Sequence, residues 1–186
     1  MKRWIAGILI PFCLLGCSRS NHAMDMLLSF RENLLQSRKI TFDADITADY
    51  GEEYYTFQMH CESNSEGELA FQVLKPDSIC GIQGVISQYE GHLTFSDQVL
   101  VFKPAAEDRL SPIIAPWVLL KTLRGGYITA CGNTEDGYLA VIRDSYQDNA
   151  LTLEIEFIDN TPISAEIFWN QTRVISMQIH DFQFVA

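Results

Sequence analysis

Positive charge is scarce in this chain. Its 186 residues include 13 Lys and Arg against 24 Asp and Glu, a formal net charge of −11. A nucleic-acid surface needs cations to displace counterions, so this balance excludes one. It equally excludes a basic patch for anionic lipid. No apolar run reaches the ~18–20 residues that a membrane-spanning helix requires. Five Cys and four His are present, with no C-x-x-C pair and no His/Cys cluster at metal-ligand spacing. The sequence contains no G-x-S-x-G, Walker A, G-x-G-x-x-G or H-E-x-x-H string. Catalytic residues, a metal centre and a cofactor are therefore not expected. Apolar residues at 47% and charged residues at 20% describe a globular chain, with length for one domain.

The N-terminus reads as an export signal. Lys2 and Arg3 precede the apolar run Trp4 to Leu15, which is too short to span a bilayer but suits a signal-peptide core. The run ends in Leu14-Leu15-Gly16-Cys17, followed by polar Ser18-Arg19-Ser20-Asn21. This resembles the lipobox of bacterial lipoproteins, which are cut before a Cys that carries acyl chains. The resemblance implies a signal peptide over 1–16, a lipidated Cys17, a tether over 17–21 and a folded body over 22–186. It places the protein outside the cytoplasm, on the outer face of a cell membrane or on an outer membrane. Two or three acyl chains hold more firmly than one. Loss of Lys2 and Arg3 leaves the body more acidic still, so it should stand off an anionic surface. Cys13 leaves with the signal, and Cys61, Cys80 and Cys131 remain. Two arrangements stay open for them: one disulfide with one buried thiol, or three buried thiols acting as small apolar residues.

The mature chain begins with a helix over His22 to Ser37, in which Met24, Leu27, Leu28, Leu34 and Leu35 recur at 3–4 residue spacing. From residue 41 the period becomes two. Phe42, Ala44, Ile46, Ala48 and Tyr50 alternate with Thr41, Asp43, Asp45, Thr47 and Asp49, which predicts a strand with one dry face and one solvated acidic face. A strand ladder lacks the convergent loop of a Ca²⁺ site. Further short strands follow to residue 103, with Gly81 and Gly84 suggesting a bulge or bend. Ser111 as N-cap and Pro112 at the first helical position open a helical insert over 111–125, ended by Gly125-Gly126. Five more strands run from Tyr127 to Val185. The four His are scattered. His60 and Cys61 are adjacent on one strand and so point to opposite faces; a meeting of Cys131 with His180 in space stays open.

About eleven consecutive strands with short turns predict one antiparallel sheet that curls. The fold class is mainly β with helices: an unclosed half-barrel covered by an N-terminal helix and a helical lid. Its apolar concavity is expected to draw on Phe42, Ile46, Tyr55, Phe57, Phe71, Phe95, Leu153, Ile155, Phe157 and Trp169. Ile113, Trp117 and Leu120 are the lid candidates.

The layout, with Val73-Leu74-Lys75-Pro76-Asp77-Ser78-Ile79-Cys80-Gly81-Ile82 and Tyr89-Glu90-Gly91-His92-Leu93-Thr94-Phe95, resembles the LolA-like family of periplasmic lipoprotein carriers, outer-membrane receptors and related lipidated proteins of mycobacteria and spore formers. The resemblance covers most of residues 22–186. It implies non-catalytic binding of an acyl chain, a lipoprotein or another amphiphile. The alternative is a protein-interaction module, such as a partner of a cell-wall amidase in spore germination or an envelope sensor. Two departures stand out. The soluble carriers of that family are not lipidated. They also close their lid through an Arg on an early strand, whereas residues 41–61 here hold neither Arg nor Lys.

Overall fold

A computed structural model describes residues 22–96, 98–104 and 110–185. The signal segment 1–16, Cys17 and the tether 17–21 lie outside the described residues. Helix α1 (His22–Gln36) leads into six strands: β1 (Lys39–Asp49), β2 (Tyr54–Asn64), β3 (Leu69–Lys75), β4 (Gln83–Ile86), β5 (Gly91–Phe95) and β6 (Gln98–Phe102). A 3₁₀ turn (Pro112–Ile114) and helix α2 (Ala115–Gly125) follow, then β7 (Tyr127–Asn133), β8 (Gly137–Arg143), β9 (Thr152–Ile158), β10 (Thr161–Trp169) and β11 (Thr172–Val185). All eleven strands form one sheet in the order β6-β5-β4-β3-β2-β1-β11-β10-β9-β8-β7. Every pairing is antiparallel, and β6 and β7 are left as open edges. This is the unclosed half-barrel with a helix and a helical insert that the strand periodicity and the LolA-like resemblance imply.

The period-two pattern has a direct physical result. In β1, Ile40, Phe42, Ala44, Ile46 and Ala48 are all buried, while Asp45 and Asp49 are exposed and Asp43 is half-buried. The same alternation runs through β2, β3, β8 and β9, so one concave face is dry. Tyr50 lies just past β1 and packs at the rim of the core.

Three local expectations are corrected. The dry stripe of α1 is Ala23, Leu27, Phe30 and Leu34, whereas Leu28 and Leu35 are exposed and Met24 is half-buried. The 3–4 spacing admits two overlapping stripes, and the sheet takes the one that carries Phe30. Gly84 is not a bulge, because β3 and β4 stay in register through it. It is the partner of Phe71, whose ring lies where a Cβ would project. Ser111 precedes the insert, but its hydroxyl makes no capping hydrogen bond, and the first turn is 3₁₀ rather than α. Pro112 does stand at the first position, and Gly126 does cap α2 through its N–H to Thr122 O.

Candidate functional site

The site is the concavity and what fills it. Phe42, Ile46, Phe57, Phe71, Leu153, Ile155 and Phe157 all join one buried core. Tyr55 and Phe95, at 46% and 42% exposure, do not; Trp169 is half-buried and lies outside that core. Tyr55 pairs with Ala48 near the rim of β1, and Phe95 ends the short strand β5, so the helices reach neither.

Helix α1 is pinned by Phe30, which meets Phe157 edge-on at 5.0 Å and lies 5.7 Å from Phe182 and 5.5 Å from Phe184. Phe182 and Phe184 reach this cluster through a change of phase. Ile175, Met177 and Ile179 are the buried residues of β11, all odd-numbered. Asp181 then adopts a left-handed φ of 51°, beside the register shift between Thr41 and Asp43, and the even-numbered Phe182 and Phe184 turn to the helix. Tyr138 stacks on Phe157 at 4.5 Å, and its hydroxyl donates to Asn160 Oδ1 at 2.6 Å.

Helix α2 is more than a cover. Ala115, Pro116, Trp117, Val118, Leu119, Leu120, Thr122 and Leu123 are buried, so nearly every side of the helix is enclosed. Lid candidates Trp117 and Leu120 therefore belong to the core, and Ile113 is half-buried against it. Exposed Lys121 and half-buried Arg124 make the polar side of the helix, and the rest is sunk into the core as a plug. A few polar contacts hold it. Trp117 Nε1 donates to Gly67 O at 3.2 Å, and Arg124 Nη2 donates to Ser63 Oγ at 3.2 Å and Asn64 O at 3.1 Å, all at the β2–β3 turn. Arg31 Nε on α1 donates to Leu123 O at 2.7 Å, and the Tyr50 hydroxyl donates to Leu110 O ahead of the insert. The helices thus supply the arginines that the early strands lack. Sequence reading passed over Arg31 and Arg124. A basic residue in the last turn of α2 was the one available signal for Arg124, and nothing local marked Arg31.

Beyond the helices no described residue covers the sheet. Leu100 on the concave side of β6 is 59% exposed, and Val99 and Val101 on the convex side are exposed as well. A separate cleft of about 660 Å³ lies between the end of α1 and the end of β11, lined by Asn33, Gln36, Ser37, Arg38, Phe184 and Val185. None of the predicted cavity residues lines it.

The convex acidic face is paired rather than simply solvated. Asp43 Oδ1 lies 2.6 Å from His60 Nδ1, Asp45 Oδ2 lies 3.1 Å from His180 Nε2, and Glu62 pairs with Lys39 at 2.9 Å. The hydrogen bond from Lys39 holds the Glu62 carboxyl below the usual carboxylate range. His180 is exposed while its neighbour Ile179 points into the core, so His180 and the concave Cys131 do not meet. Cys61 is buried, Cys80 exposed and Cys131 half-buried, with no disulfide among the three, which is neither of the two arrangements expected. Burial pushes the Cys61 thiol far above its ordinary pKa, with the Asp43 charge adding to the effect, which leaves it protonated and inert. Among the described residues no group of three His, Cys, Asp or Glu could hold a metal ion, and no helix is long and apolar enough to cross a membrane.

No family model matches the chain, and no curated protein matches it. Among solved structures it is similar to a LolA superfamily protein from Nitrosomonas europaea, at 10% identity over 88% of this chain and 94% of that one, with a TM-score of 0.47. It is also similar to a putative outer membrane lipoprotein-sorting protein domain from Vibrio parahaemolyticus, at 10% identity over 85% and 90% with a TM-score of 0.49. A third is the lipoprotein LppX of Mycobacterium tuberculosis, at 8% identity over 89% and 95% with a TM-score of 0.43. At these identities the likeness is one of chain layout alone.

Proposed function

We propose that this protein is a membrane-tethered, non-catalytic binding protein. In this reading residues 1–16 are a removed signal, lipidated Cys17 anchors residues 17–21 as a tether, and the half-barrel body takes an acyl chain or another amphiphile. One observation carries the reading: the concavity is stopped by a short helix, most of whose side chains are buried, ahead of Gly125-Gly126. Eleven residues are too few for a helix to persist alone in water. Moving α2 aside exchanges a protein contact for a ligand contact of the same apolar kind. Each CH₂ of the incoming chain contributes about 0.8 kcal/mol on burial, so an acyl chain can offset the displaced contacts.

A second reading has its own support. The edge strand β6 presents Val99, Leu100 and Val101 to solvent with no charge among them, and an unprotected edge of that kind is a template for a partner strand. The same fold would then act as a regulator or partner of a cell-envelope protein. Native mass spectrometry of the Cys17→Ser chain separates the two. The expected result is a co-purified amphiphile of discrete mass. Ligand-free protein that instead retains a stoichiometric partner protein would move the assignment to the second reading.

Anchoring has its own test. The wild-type protein should pellet with membranes, and Cys17→Ser should appear in the soluble fraction. The described body has no helix that could span the bilayer, and its acidic charge opposes adsorption to anionic lipid. A Cys17→Ser chain that still pellets after a salt wash would show that something other than acylation holds the protein.

A further inference from the structure

Two cations sit at the junction of the helices without an anion among the described residues. Arg31 spends its Nε on Leu123 O, but its Nη2 is buried with no hydrogen-bond partner. One residue before Leu123, Thr122 Oγ1 is buried in the same condition. One residue after it, Arg124 reaches only the Ser63 hydroxyl and the Asn64 carbonyl. Neither arginine pairs with a carboxylate among the described residues, although the chain has 24 of them. Elsewhere, on exposed surface, Arg173 takes Glu166 at 2.7 Å and Lys39 takes Glu62 at 2.9 Å. Burial lowers the pKa of both Arg31 and Arg124 from the ordinary guanidinium value, with no anion opposing it; both remain charged at neutral pH.

The carbonyl-rich end of α2 accounts for part of this arrangement, since cations are favourable there. It accounts for Arg31 Nε and for Arg124. It does not account for Arg31 Nη2 or Thr122 Oγ1, and buried polar atoms are ordinarily matched. Two guanidinium forks and a hydroxyl around one helical turn are the donors that an oxyanion requires. Both arginines are half-buried as residues, so they reach from the surface to the two sealed atoms beside the dry core.

We infer that the turn formed by Thr122, Leu123 and Arg124, with Arg31 across from it, receives the anionic headgroup, carboxylate or phosphate, of the amphiphile whose tail enters the concavity. The inference rests on the amphiphile reading above. As α2 gives way, Leu123 O leaves Arg31 and the released donors turn to the headgroup. The polar contacts that hold the plug are thereby replaced by those that hold the ligand, and an uncharged or cationic headgroup finds no such replacement.

Four ligands with the same ten-carbon tail test this: decanoate, decyl phosphate, decanol and decyltrimethylammonium, each titrated below its micelle concentration into the Cys17→Ser chain. At least one of the two anions should bind at least tenfold more tightly than decanol, with decyltrimethylammonium weakest. A preference for decanoate assigns a carboxylate headgroup, and one for decyl phosphate assigns a phosphate. Arg31→Gln and Arg124→Gln should each bring the anion-to-alcohol ratio toward one. Arg173→Gln, at the exposed pair, should leave it unchanged. Equal wild-type affinity for anions and alcohol would overturn the headgroup station while leaving the amphiphile reading intact. Binding of none of the four would overturn that reading itself. The wild-type comparison stands even where a variant folds poorly.

Discussion

Replacing Ile46 with Asp should unfold most of the protein, while replacing Asp45 with Asn should leave its stability nearly unchanged. The two residues are adjacent on β1 and face opposite ways. Ile46 is fully buried, with Phe57 of β2 and Met177 of β11 as its register partners on either side. A carboxylate there meets no cation and no water. The substitution loses the transfer and packing terms of a core isoleucine and adds an unpaired buried charge, together at least about 4 kcal/mol. Against a typical total of about 5–15 kcal/mol, that is most of the stability of a domain. Asp45 is half exposed and reaches His180 at 3.1 Å across solvent-screened space, so its amide should cost less than about 1 kcal/mol. Urea unfolding followed by far-ultraviolet circular dichroism measures both. Equal losses at the two positions would mean that the sheet is not dry on one face only.

Leu120→Asp should release α2 from the concavity without dismantling the sheet. Leu120 is buried, so a carboxylate at this position cannot stay where the leucine was. The strands do not depend on α2 for their ladder, because each of the eleven is hydrogen-bonded to its neighbours within the sheet. Beyond its apolar burial, which the charge disrupts, the helix is joined to the body by the Trp117, Arg31 and Arg124 contacts, at 3.2, 2.7 and 3.1–3.2 Å. These bonds contribute about 1 kcal/mol each, which does not hold a buried charge in place. The variant should show red-shifted Trp117 emission, stronger binding of a hydrophobic dye and a retained strand signal. Trp169 also emits, so the measurement is made in a Trp169→Phe background. Loss of the strand signal together with the Trp117 shift would show that α2 is a fixed part of one cooperative core, and the plug would then have no open state.

Much of this molecule is legible in the order of its residues. The alternation from Thr41 to Tyr50 gave the strand and its dry face, and Leu151 to Ile158 did the same for β9. These signals are local: side chains two apart in a strand share a face whatever the rest of the chain does. The turns at Gly51, Asp136-Gly137 and Asp159-Asn160 then leave little choice but an antiparallel meander, and eleven such strands cannot stay flat. Seven of the ten proposed cavity residues lie in the buried core.

What the sequence left undetermined was coverage, which depends on what arrives from far along the chain. Tyr55 and Phe95 alternate correctly and are nevertheless exposed, because no helix extends over their ends of the sheet. Leu28 and Phe30 are equally good helix-stripe residues, and only the aromatic cluster of Phe157, Phe182 and Phe184 selects Phe30. That cluster in turn exists because a single left-handed residue, Asp181, reverses the phase of β11. The unpaired arginines follow the same logic. Arg31 lies on a helix with exposed polar neighbours, and its position becomes informative only when Leu123, 92 residues away, delivers its carbonyl to it. Period and turn chemistry are properties of neighbours in sequence, and they determined the sheet. Burial and electrostatic pairing are properties of neighbours in space, and only the packed structure decided them.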